Sequence, residues 1–385
     1  MDMLLRAAAV VTPDEEFAPG WTLIRDGTIE SVGGGEGPAG VPATDLAPLT
    51  LVPGFVDIHV HGGGGFSLLN GDPEEVRAYA RWAAGTGVTS FLAGICAESF
   101  EIGLAAVESI ASMDSRPGDG AELLGVNLEG PFVSSGRLGA LPEGWPQPPT
   151  VTRFGRLARG AGGGLRVMTL APELPGALAL IAAAAQSSVV VSLGHTDATY
   201  READAAFRAG ASHVTHAFNA MRTFHHREPG VIGAALQSPG VTMEVIADGV
   251  HLHPATVSML VAAFGPERVA LVTDAVPPAG LPGGSFRIGG VEAVNSGGRI
   301  ELPDGTIAGG ASTMDDLVRN VVSWRCATLA EASRMASTVP ASVAGAVRKG
   351  RIAPGYDADL VALTPDLHVA ATWVGGRRVY ESALR

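Results

Sequence analysis

Short apolar runs alternate with amphipathic stretches along the middle of the chain, and each such pair is typical of one strand followed by one helix. The apolar runs, each predicted to be a strand, are 54–61, 89–95, 124–131, 166–172, 189–195, 213–218, 242–248 and 269–274. The helix-like stretches include 73–84, 175–186, 200–208, 254–264 and 313–324, and several begin at a proline or at a Ser, Thr or Asp cap. This alternation favours an α/β protein with a closed parallel (β/α)8 TIM-like barrel. An open doubly wound sheet is the alternative, but no dinucleotide-binding glycine pattern follows any of the strands.

The two ends of the chain have a different pattern from the middle. Residues 1–51 and 345–385 contain short apolar runs separated by turn sequences such as Asp26-Gly27 and Gly375-Gly376. We therefore predict one small β-sandwich domain built from both termini, with the barrel at 52–344 inserted between its two parts. Paired glycines further predict a β insertion near 285–307.

Composition and charge narrow the class of partner. A chain of 385 residues that is 46% hydrophobic can bury a large core. Its net charge of −13 argues against nucleic acid or an anionic membrane as a partner, although a small anionic substrate stays possible. The two cysteines, Cys96 and Cys326, are too far apart for a CxxC motif. Without a signal-peptide pattern or an apolar run of roughly 20 residues, the sequence predicts a soluble cytoplasmic protein.

Side chains that can bind metal fall at or near the C-terminal ends of five predicted strands, where TIM barrels carry their active sites. They are His59, His61, Glu129, His195, His216 and Asp274. The i, i+2 spacing of the first two places both imidazoles on one face of a strand. Imidazole nitrogen and carboxylate oxygen suit Zn²⁺ or Fe²⁺, and no thiolate is expected in the cluster. Such a metal activates water and polarises a carbonyl, and Asp274 is the candidate for moving the proton.

Several sequence strings resemble a known family. The string PGFVDIHVHG at 53–62 is similar to the opening motif of the metal-dependent amidohydrolases. Further strings resemble the N-acetylglucosamine-6-phosphate deacetylases within that superfamily: LEGPF at 128–132, GHT at 194–196, HAFNAM at 216–221, HREPG at 226–230, DGVH at 248–251, TDA at 273–275 and IAG at 307–309. HAFNAM followed by HREPG is the most specific of these, and nearly the whole chain is covered.

The resemblance implies a role for each matched residue. Glu129, His195 and His216 would bind the principal metal, and Asp274 would be the catalytic acid and base. His59 and His61 would bind a second metal or orient the first from outside its ligand shell, so that one or two Zn²⁺ or Fe²⁺ ions are expected per subunit. The residues implied in substrate binding are Ala140, Leu141, Asn219, Ala220, Arg227, Asp248, His251, Ile307, Ala308 and Gly309. Because the phosphate contacts can come from the neighbouring subunit, the resemblance also implies a homodimer.

One departure from the family pattern concerns the segment after LEGPF. The family usually carries Gly-Ala-His there, whose histidine contacts the substrate amide, whereas this chain has Leu141 at that position. Leucine cannot donate a hydrogen bond, and loss of one such donor costs about 10²–10³ in rate in other enzymes. Either the second metal or a nearby group such as His225 compensates, or the substrate differs.

These observations predict hydrolysis of the N-acetyl group of N-acetylglucosamine 6-phosphate. A related amidohydrolase that acts on another N-acyl sugar, a cyclic amide or an aminopurine is the first alternative, because all of them share the fold. A barrel without activity that serves as a binding protein is the second, but such a protein is expected to have lost ligands that this chain retains.

Overall fold

The computed structural model describes residues 2–114, 118–288 and 290–383. Within the predicted domain ranges, the residues outside this description are 1, 115–117, 289, 384 and 385. The central element is a parallel sheet of eight strands, in which each strand pairs with its neighbour in chain order. The strands are β1 (Phe55–Val60), β2 (Val88–Ile95), β3 (Glu122–Phe132), β4 (Leu165–Leu170), β5 (Val190–Leu193), β6 (His213–Val214), β7 (Thr242–Val245) and β8 (Val269–Leu271).

Backbone hydrogen bonds join the first strand to the segment after the last one. The N–H of Asp274 donates to the carbonyl of His59 (2.9 Å), and the N–H of His61 donates to the carbonyl of Ala275 (2.7 Å). The sheet therefore closes on itself, and the prediction of a (β/α)8 barrel is confirmed.

The helices lie mainly between the strands and bury one face against the barrel. They are α1 (Pro73–Ala83), α2 (Phe100–Ala111), α3 (Val151–Gly160), α4 (Ala177–Gln186), α5 (Tyr200–Ala209), α6 (Gly230–Leu236), α7 (Pro254–Phe264), α8 (Met314–Ser323), α9 (Leu329–Ala336) and α10 (Thr338–Val343), with a 3-10 turn at Ala84–Thr86. Helix α1 begins at a proline, and the Asp72 side chain accepts from the N–H of Glu74. Helix α5 begins with a capping box between Thr199 and Glu202. No helix among the described residues is long and apolar enough to cross a membrane.

The barrel strands are buried on both faces, as expected for parallel strands covered by helices. All eight residues of β2, for example, are buried. The barrel interior also contains hydroxyl groups: the Thr215 hydroxyl lies 2.8 Å from that of Thr169 and 2.6 Å from that of Ser192. These polar groups satisfy one another, so the barrel interior can carry polar side chains up to its C-terminal end.

Strands from both ends of the chain form two further sheets. One contains Thr28–Gly34, Gly20–Arg25, Met3–Ala7 and Ala43–Asp45 in that order. The other contains Arg377–Glu381, Val369–Val374, Leu360–Leu363, Thr50–Pro53, Ala9–Val11 and Glu16–Phe17. Leu5, Ile24, Leu51 and Trp373 pack together in one buried cluster. The two ends thus share a core, as a β-sandwich requires, while the domain boundaries at 51 and 345 stay a prediction.

The β insertion is longer than the predicted 285–307. Its antiparallel strands are Gly284–Ile288, Val291–Ser296, Arg299–Glu301 and Ile307–Gly310. Ala293 and Ile300 are buried against Val276, which follows β8. The last strand of the insertion extends to Gly310, and the N–H of Gly310 donates to the carbonyl of Asp274 (2.7 Å). The insertion is therefore attached directly to the segment that carries the predicted catalytic residue.

Candidate active site

Three of the six predicted metal-binding and catalytic residues have left-handed backbone conformations. The φ angles are 48° at His195, 26° at His216 and 47° at Asp274. Non-glycine residues adopt this region rarely, and when they do the position is often functional. The predicted strands 189–195, 213–218 and 269–274 are therefore wrong at their C-terminal ends. The strands end at Leu193, Val214 and Leu271. In each case the backbone turns away from the strand direction at the predicted site residue that follows.

Glu129, His195 and His216, here called the Glu129 group, lie within ligand distance of one another. The Oε1 atom of Glu129 is 2.9 Å from His195 Nε2 and 3.1 Å from His216 Nε2. The two Nε2 atoms are 3.0 Å apart. All three residues are no more than 5% exposed. The structure therefore brings together three ligands that arrive from three different strands.

His59, His61 and Asp274, here called the Asp274 group, adjoin the Glu129 group. The Oδ1 atom of Asp274 lies 3.6 Å from His59 Nε2 and 3.4 Å from His61 Nε2. Glu129 connects the two groups, because its Oε1 is 3.5 Å from His59 Nε2 and its Oε2 is 3.2 Å from His61 Nε2. One carboxylate is thus shared between two sets of potential metal ligands.

The outer nitrogens of three imidazoles are held by hydrogen bonds. His61 Nδ1 lies 3.0 Å from the carbonyl of Gly94, and His195 Nδ1 lies 2.9 Å from the carbonyl of Arg137. His59 Nδ1 lies 2.7 Å from Oε2 of Glu244. Because these acceptors require a proton on Nδ1, the Nε2 atom of each ring can direct its lone pair into the cluster. This is the tautomer that a metal ligand needs.

The donor set fits a divalent metal ion. The ligand atoms within each group lie within 4.8 Å of one another, and atoms bound at 2.0–2.2 Å to one zinc ion are about 3 Å apart. Burial opposes ionisation of Glu129, but favourable electrostatic interactions with His195 and the neighbouring imidazoles hold its pKa well below the usual range. For Asp274, burial is likewise outweighed, chiefly by His59, so that its pKa is lowered. The lowered pKa values hold both carboxylates anionic, which is the form that binds a cation.

A cysteine lies next to the cluster, and this neighbour was not predicted from the sequence. The Sγ atom of Cys96 is within 4.8 Å of ligand atoms of His61 and Glu129. Cys96 directly follows β2, a strand that contributes no histidine or carboxylate to either group. Burial raises its pKa, and the charges of Glu129 and Asp274 add to that effect. Cys96 is therefore held as the neutral thiol beside the cluster.

Other buried or partly buried polar residues that support the cluster were not predicted. Glu244 on β7 holds His59, and the Asp57 carboxylate accepts from the hydroxyl of Thr273 (2.6 Å) beside Asp274. Burial raises the pKa of Asp57 to about 7 despite this bond. Glu173, which follows β4, accepts from the N–H of Asp197 (2.7 Å) and so fixes the turn after His195. The only sequence signal for these residues was an acidic side chain within or just after an apolar run.

Some of the predicted substrate-binding residues lie on the loops around the cluster. Asn219 follows His216 and donates from its side-chain amide to the carbonyls of His216 and Ala217 (3.2 Å each). Asp248 accepts from the backbone of His251 and holds its Nδ1 at 2.7 Å. Burial disfavours protonated His251, but the Asp248 carboxylate raises its pKa. Asp248 therefore favours the protonated, cationic form of the His251 ring, which is the form that attracts an anion.

The remaining predicted residues differ in exposure. Ala220 has a left-handed φ of 45°, and its carbonyl accepts from the N–H of Thr196 beside His195. Ala308 is buried, while Ile307 and Gly309 are half-buried beside Asp274. Ala140 is exposed, and Leu141 is 7% exposed within the hydrophobic core. Arg227 is exposed on the loop that follows His216. The roles of these residues stay predictions.

Comparison with known proteins identifies the class of enzyme. Residues 50–379 match the amidohydrolase family, so the chain belongs to that family of enzymes, whose members are metal-dependent. The barrel and the cluster of histidines and carboxylates described above agree with this membership.

Within the amidohydrolases, the chain is similar over nearly its whole length to enzymes that deacetylate phosphorylated amino sugars. It is 36% identical to N-acetylglucosamine-6-phosphate deacetylase of Bacillus subtilis strain 168, over 99% of this chain and 98% of the relative. It is also 36% identical to N-acetylgalactosamine-6-phosphate deacetylase of Escherichia coli O157:H7, over 98% of this chain and 99% of the relative. A solved structure of a mutant N-acetyl-D-glucosamine-6-phosphate deacetylase from Mycobacterium smegmatis, in complex with N-acetyl-D-glucosamine-6-phosphate, superimposes with a TM-score of 0.93. That protein is 36% identical, and the match covers 98% of this chain and 99% of the other. The resemblance seen in the motifs is thus confirmed.

Proposed function

We propose that this protein hydrolyses the N-acetyl group of N-acetylglucosamine 6-phosphate, giving acetate and glucosamine 6-phosphate. The observation that carries this proposal is the shared carboxylate of Glu129, which joins a three-ligand group to a second group containing Asp274. Full-length similarity to deacetylases of phosphorylated amino sugars supports the substrate class.

The chain's own residues account for positioning and proton transfer. A divalent metal held by Glu129, His195 and His216 would supply polarisation of the acetyl carbonyl and a lowered pKa for water. Asp274, whose Oδ1 faces the imidazoles of His59 and His61, takes the proton from the attacking water. It then delivers a proton to the sugar nitrogen as the carbon–nitrogen bond breaks. The water oxygen ends in acetate, and the amine leaves protonated.

The proposed metals are Zn²⁺ or Fe²⁺, with two ions in each subunit. Nitrogen and oxygen ligands without a thiolate suit either ion. Two ions are supported by the two overlapping groups, since His59 and His61 both direct Nε2 toward carboxylate oxygens while Nδ1 is occupied elsewhere. The proposed setting is the cytoplasm, consistent with two free cysteines.

The proposed phosphate contacts are His251, Arg227 and the backbone and side chain of Asn219 and Ala220. His251 carries a raised pKa, and the guanidinium of Arg227 has a planar fork that matches phosphate oxygens. Arg227 is exposed on its own chain, and this position is compatible with reaching the site of a neighbouring subunit. We therefore propose a homodimer in which this loop is shared.

The galactosamine epimer is the second candidate substrate. The relative that acts on N-acetylgalactosamine 6-phosphate is as similar in sequence as the relative that acts on the glucosamine compound. Both substrates present the same acetamide and phosphate, so the chemistry described above serves either one. Discrimination depends on the hydroxyl at which the two sugars differ.

The test is acetate release by metal-reconstituted protein from both phosphorylated epimers and from unphosphorylated N-acetylglucosamine. We expect the highest kcat/KM with N-acetylglucosamine 6-phosphate and a large loss when the phosphate is absent. The variant Arg227→Ala should raise KM for the phosphorylated sugar and leave the unphosphorylated sugar unaffected. If metal-loaded protein releases acetate from none of these compounds, the proposed substrate is wrong and Leu141 marks a different amide.

A further inference from the structure

A glutamate lies fully buried in the middle of the barrel strand β7. Glu244 has no exposed surface, and its neighbours Met243 and Val245 are also fully buried. An ionised carboxylate in such a place is costly unless several partners compensate for the water it has lost. The partners of Glu244 therefore indicate why the chain keeps it there.

One oxygen of this carboxylate holds two residues of the metal cluster. Oε2 lies 2.7 Å from His59 Nδ1 and accepts from the backbone N–H of His216 at 2.9 Å. The other oxygen, Oε1, faces His213 Nε2 at 3.4 Å. Glu244 thus contacts a ligand from the Asp274 group through its ring and a ligand from the Glu129 group through its backbone.

The Nδ1 atom of His59 has a different kind of hydrogen-bond partner from the Nδ1 atoms of His61 and His195. His61 and His195 meet neutral backbone carbonyls, whereas His59 meets a carboxylate. A charged acceptor strengthens the hydrogen bond and makes the opposite nitrogen a stronger metal ligand. His59 is therefore both oriented and made more basic toward the space between Glu129 and Asp274.

We propose that Glu244 is a positioning residue that sets the affinity of the second metal site by fixing and polarising His59. The proposal rests on the two-metal form of the proposed function. Through His216, the same oxygen also couples the geometry of the second site to that of the first.

The test uses Glu244→Gln in the full-length protein, because glutamine removes the charge and can keep a carbonyl oxygen at the position of Oε2. Wild-type and variant proteins are dialysed against a series of buffered free Zn²⁺ concentrations, and the bound zinc is measured by elemental analysis. We expect the weaker of the two zinc sites to lose about 10- to 100-fold in affinity. The tighter site should change by much less.

A double-mutant comparison separates positioning from a general effect on folding. In a His59→Ala background, Glu244→Gln should cause a much smaller further loss of zinc affinity, because only its contact with the backbone of His216 remains. Glu331→Gln is the control. Its carboxylate accepts a backbone N–H from Thr328 (2.8 Å) at the start of helix α9, so both zinc affinities should stay unchanged.

Unchanged zinc affinity in Glu244→Gln, or an equal loss with and without His59, would overturn the proposal. So would binding of a single zinc ion by the wild-type protein. Acetate release by the same wild-type preparation tests the proposed reaction independently. A failed substrate assignment therefore leaves the zinc result intact, and a failed role for Glu244 leaves the reaction intact.

Discussion

The two ends of the barrel each contain a cluster of buried charges, and strand β3 contributes a glutamate to both. Glu122 begins the strand and lies 3.0 Å from the Nζ of Lys349. Lys349 also contacts Asp359 at 2.6 Å and Asp357 at 3.6 Å, and these four residues are here called the Lys349 cluster. Glu129, near the other end of β3, lies among imidazoles. The same residue type on one strand thus belongs to two different environments.

The difference lies in the source of positive charge. In the Lys349 cluster the ammonium group comes from the chain itself. Burial opposes that charge, but the carboxylates of Asp359 and Glu122 raise the pKa of Lys349. At the other end the imidazoles direct nitrogen lone pairs inward, so that charge compensation there can come from a bound cation. Buried carboxylates alone therefore do not identify a metal site, whereas carboxylates beside oriented imidazoles do.

The largest effect is expected when Asp274, the proposed acid and base, is replaced at the C-terminal end of the barrel. Asp274→Asn keeps the size of the side chain but cannot carry the proton. We expect kcat to fall by about 10²–10⁴ in protein saturated with zinc, with KM changed much less. Steady-state kinetics with elemental analysis of the same protein provide the check. Near-normal turnover in metal-replete Asp274→Asn would contradict the assigned role.

At the opposite end, Lys349→Met should affect stability and not chemistry. Removing the ammonium takes away the cationic partner of the buried Asp359 carboxylate, and breaking a buried ion pair in this way costs about 3–5 kcal/mol in other proteins. We expect a marked drop in thermal stability with kcat of the folded fraction preserved. Arg348→Met is the control, since that side chain is 57% exposed where it contacts Asp357 and surface pairs contribute about 0–1 kcal/mol. Equal destabilisation by both variants would remove the distinction between the two ends.

The same comparison explains how much could be predicted from sequence. The histidines and Asp274 were found because they end apolar runs in a barrel, and strand ends converge in that fold. Glu244 was missed because a single acid within an apolar run gives no sign of facing the interior instead of solvent. Cys96 was missed because only the folded strand order places the end of β2 beside Glu129. The left-handed turns at His195, His216 and Asp274 depend on tertiary bonds that local sequence does not encode.

A smaller effect is expected at the proposed phosphate contact. His251→Asn should raise KM for the phosphorylated sugar by about 10- to 100-fold, because a hydrogen bond to a charged group contributes about 1.5–3 kcal/mol. The pKa of His251 is raised, so the ring binds the anion below that pKa and loses affinity as the pH rises through it.

The measurement is KM from pH 7 upward, where the substrate phosphate has passed its own second pKa of about 6. Wild-type KM should increase with pH, and the variant should lack this increase. The unphosphorylated sugar provides the control, because its KM should depend little on His251. An equal loss with both sugars would assign His251 to another part of the substrate.

The smallest expected effect concerns the support beneath Glu129. The indole N–H of fully buried Trp145 donates to the backbone carbonyl of Glu129 at 2.7 Å. Trp145→Phe leaves that carbonyl without its donor, which should lower the free energy of unfolding by about 1–3 kcal/mol. The side chain of Glu129 is held separately, by the imidazoles. The kcat of Trp145→Phe should therefore change by less than about 3-fold, well below the 10²–10⁴ that a proton-transfer residue contributes. Denaturant unfolding and kinetics, compared with Trp324→Phe at a half-buried tryptophan, check this. A large loss of zinc affinity in Trp145→Phe would mean that the backbone contact, and not the surrounding imidazoles, sets the position of Glu129.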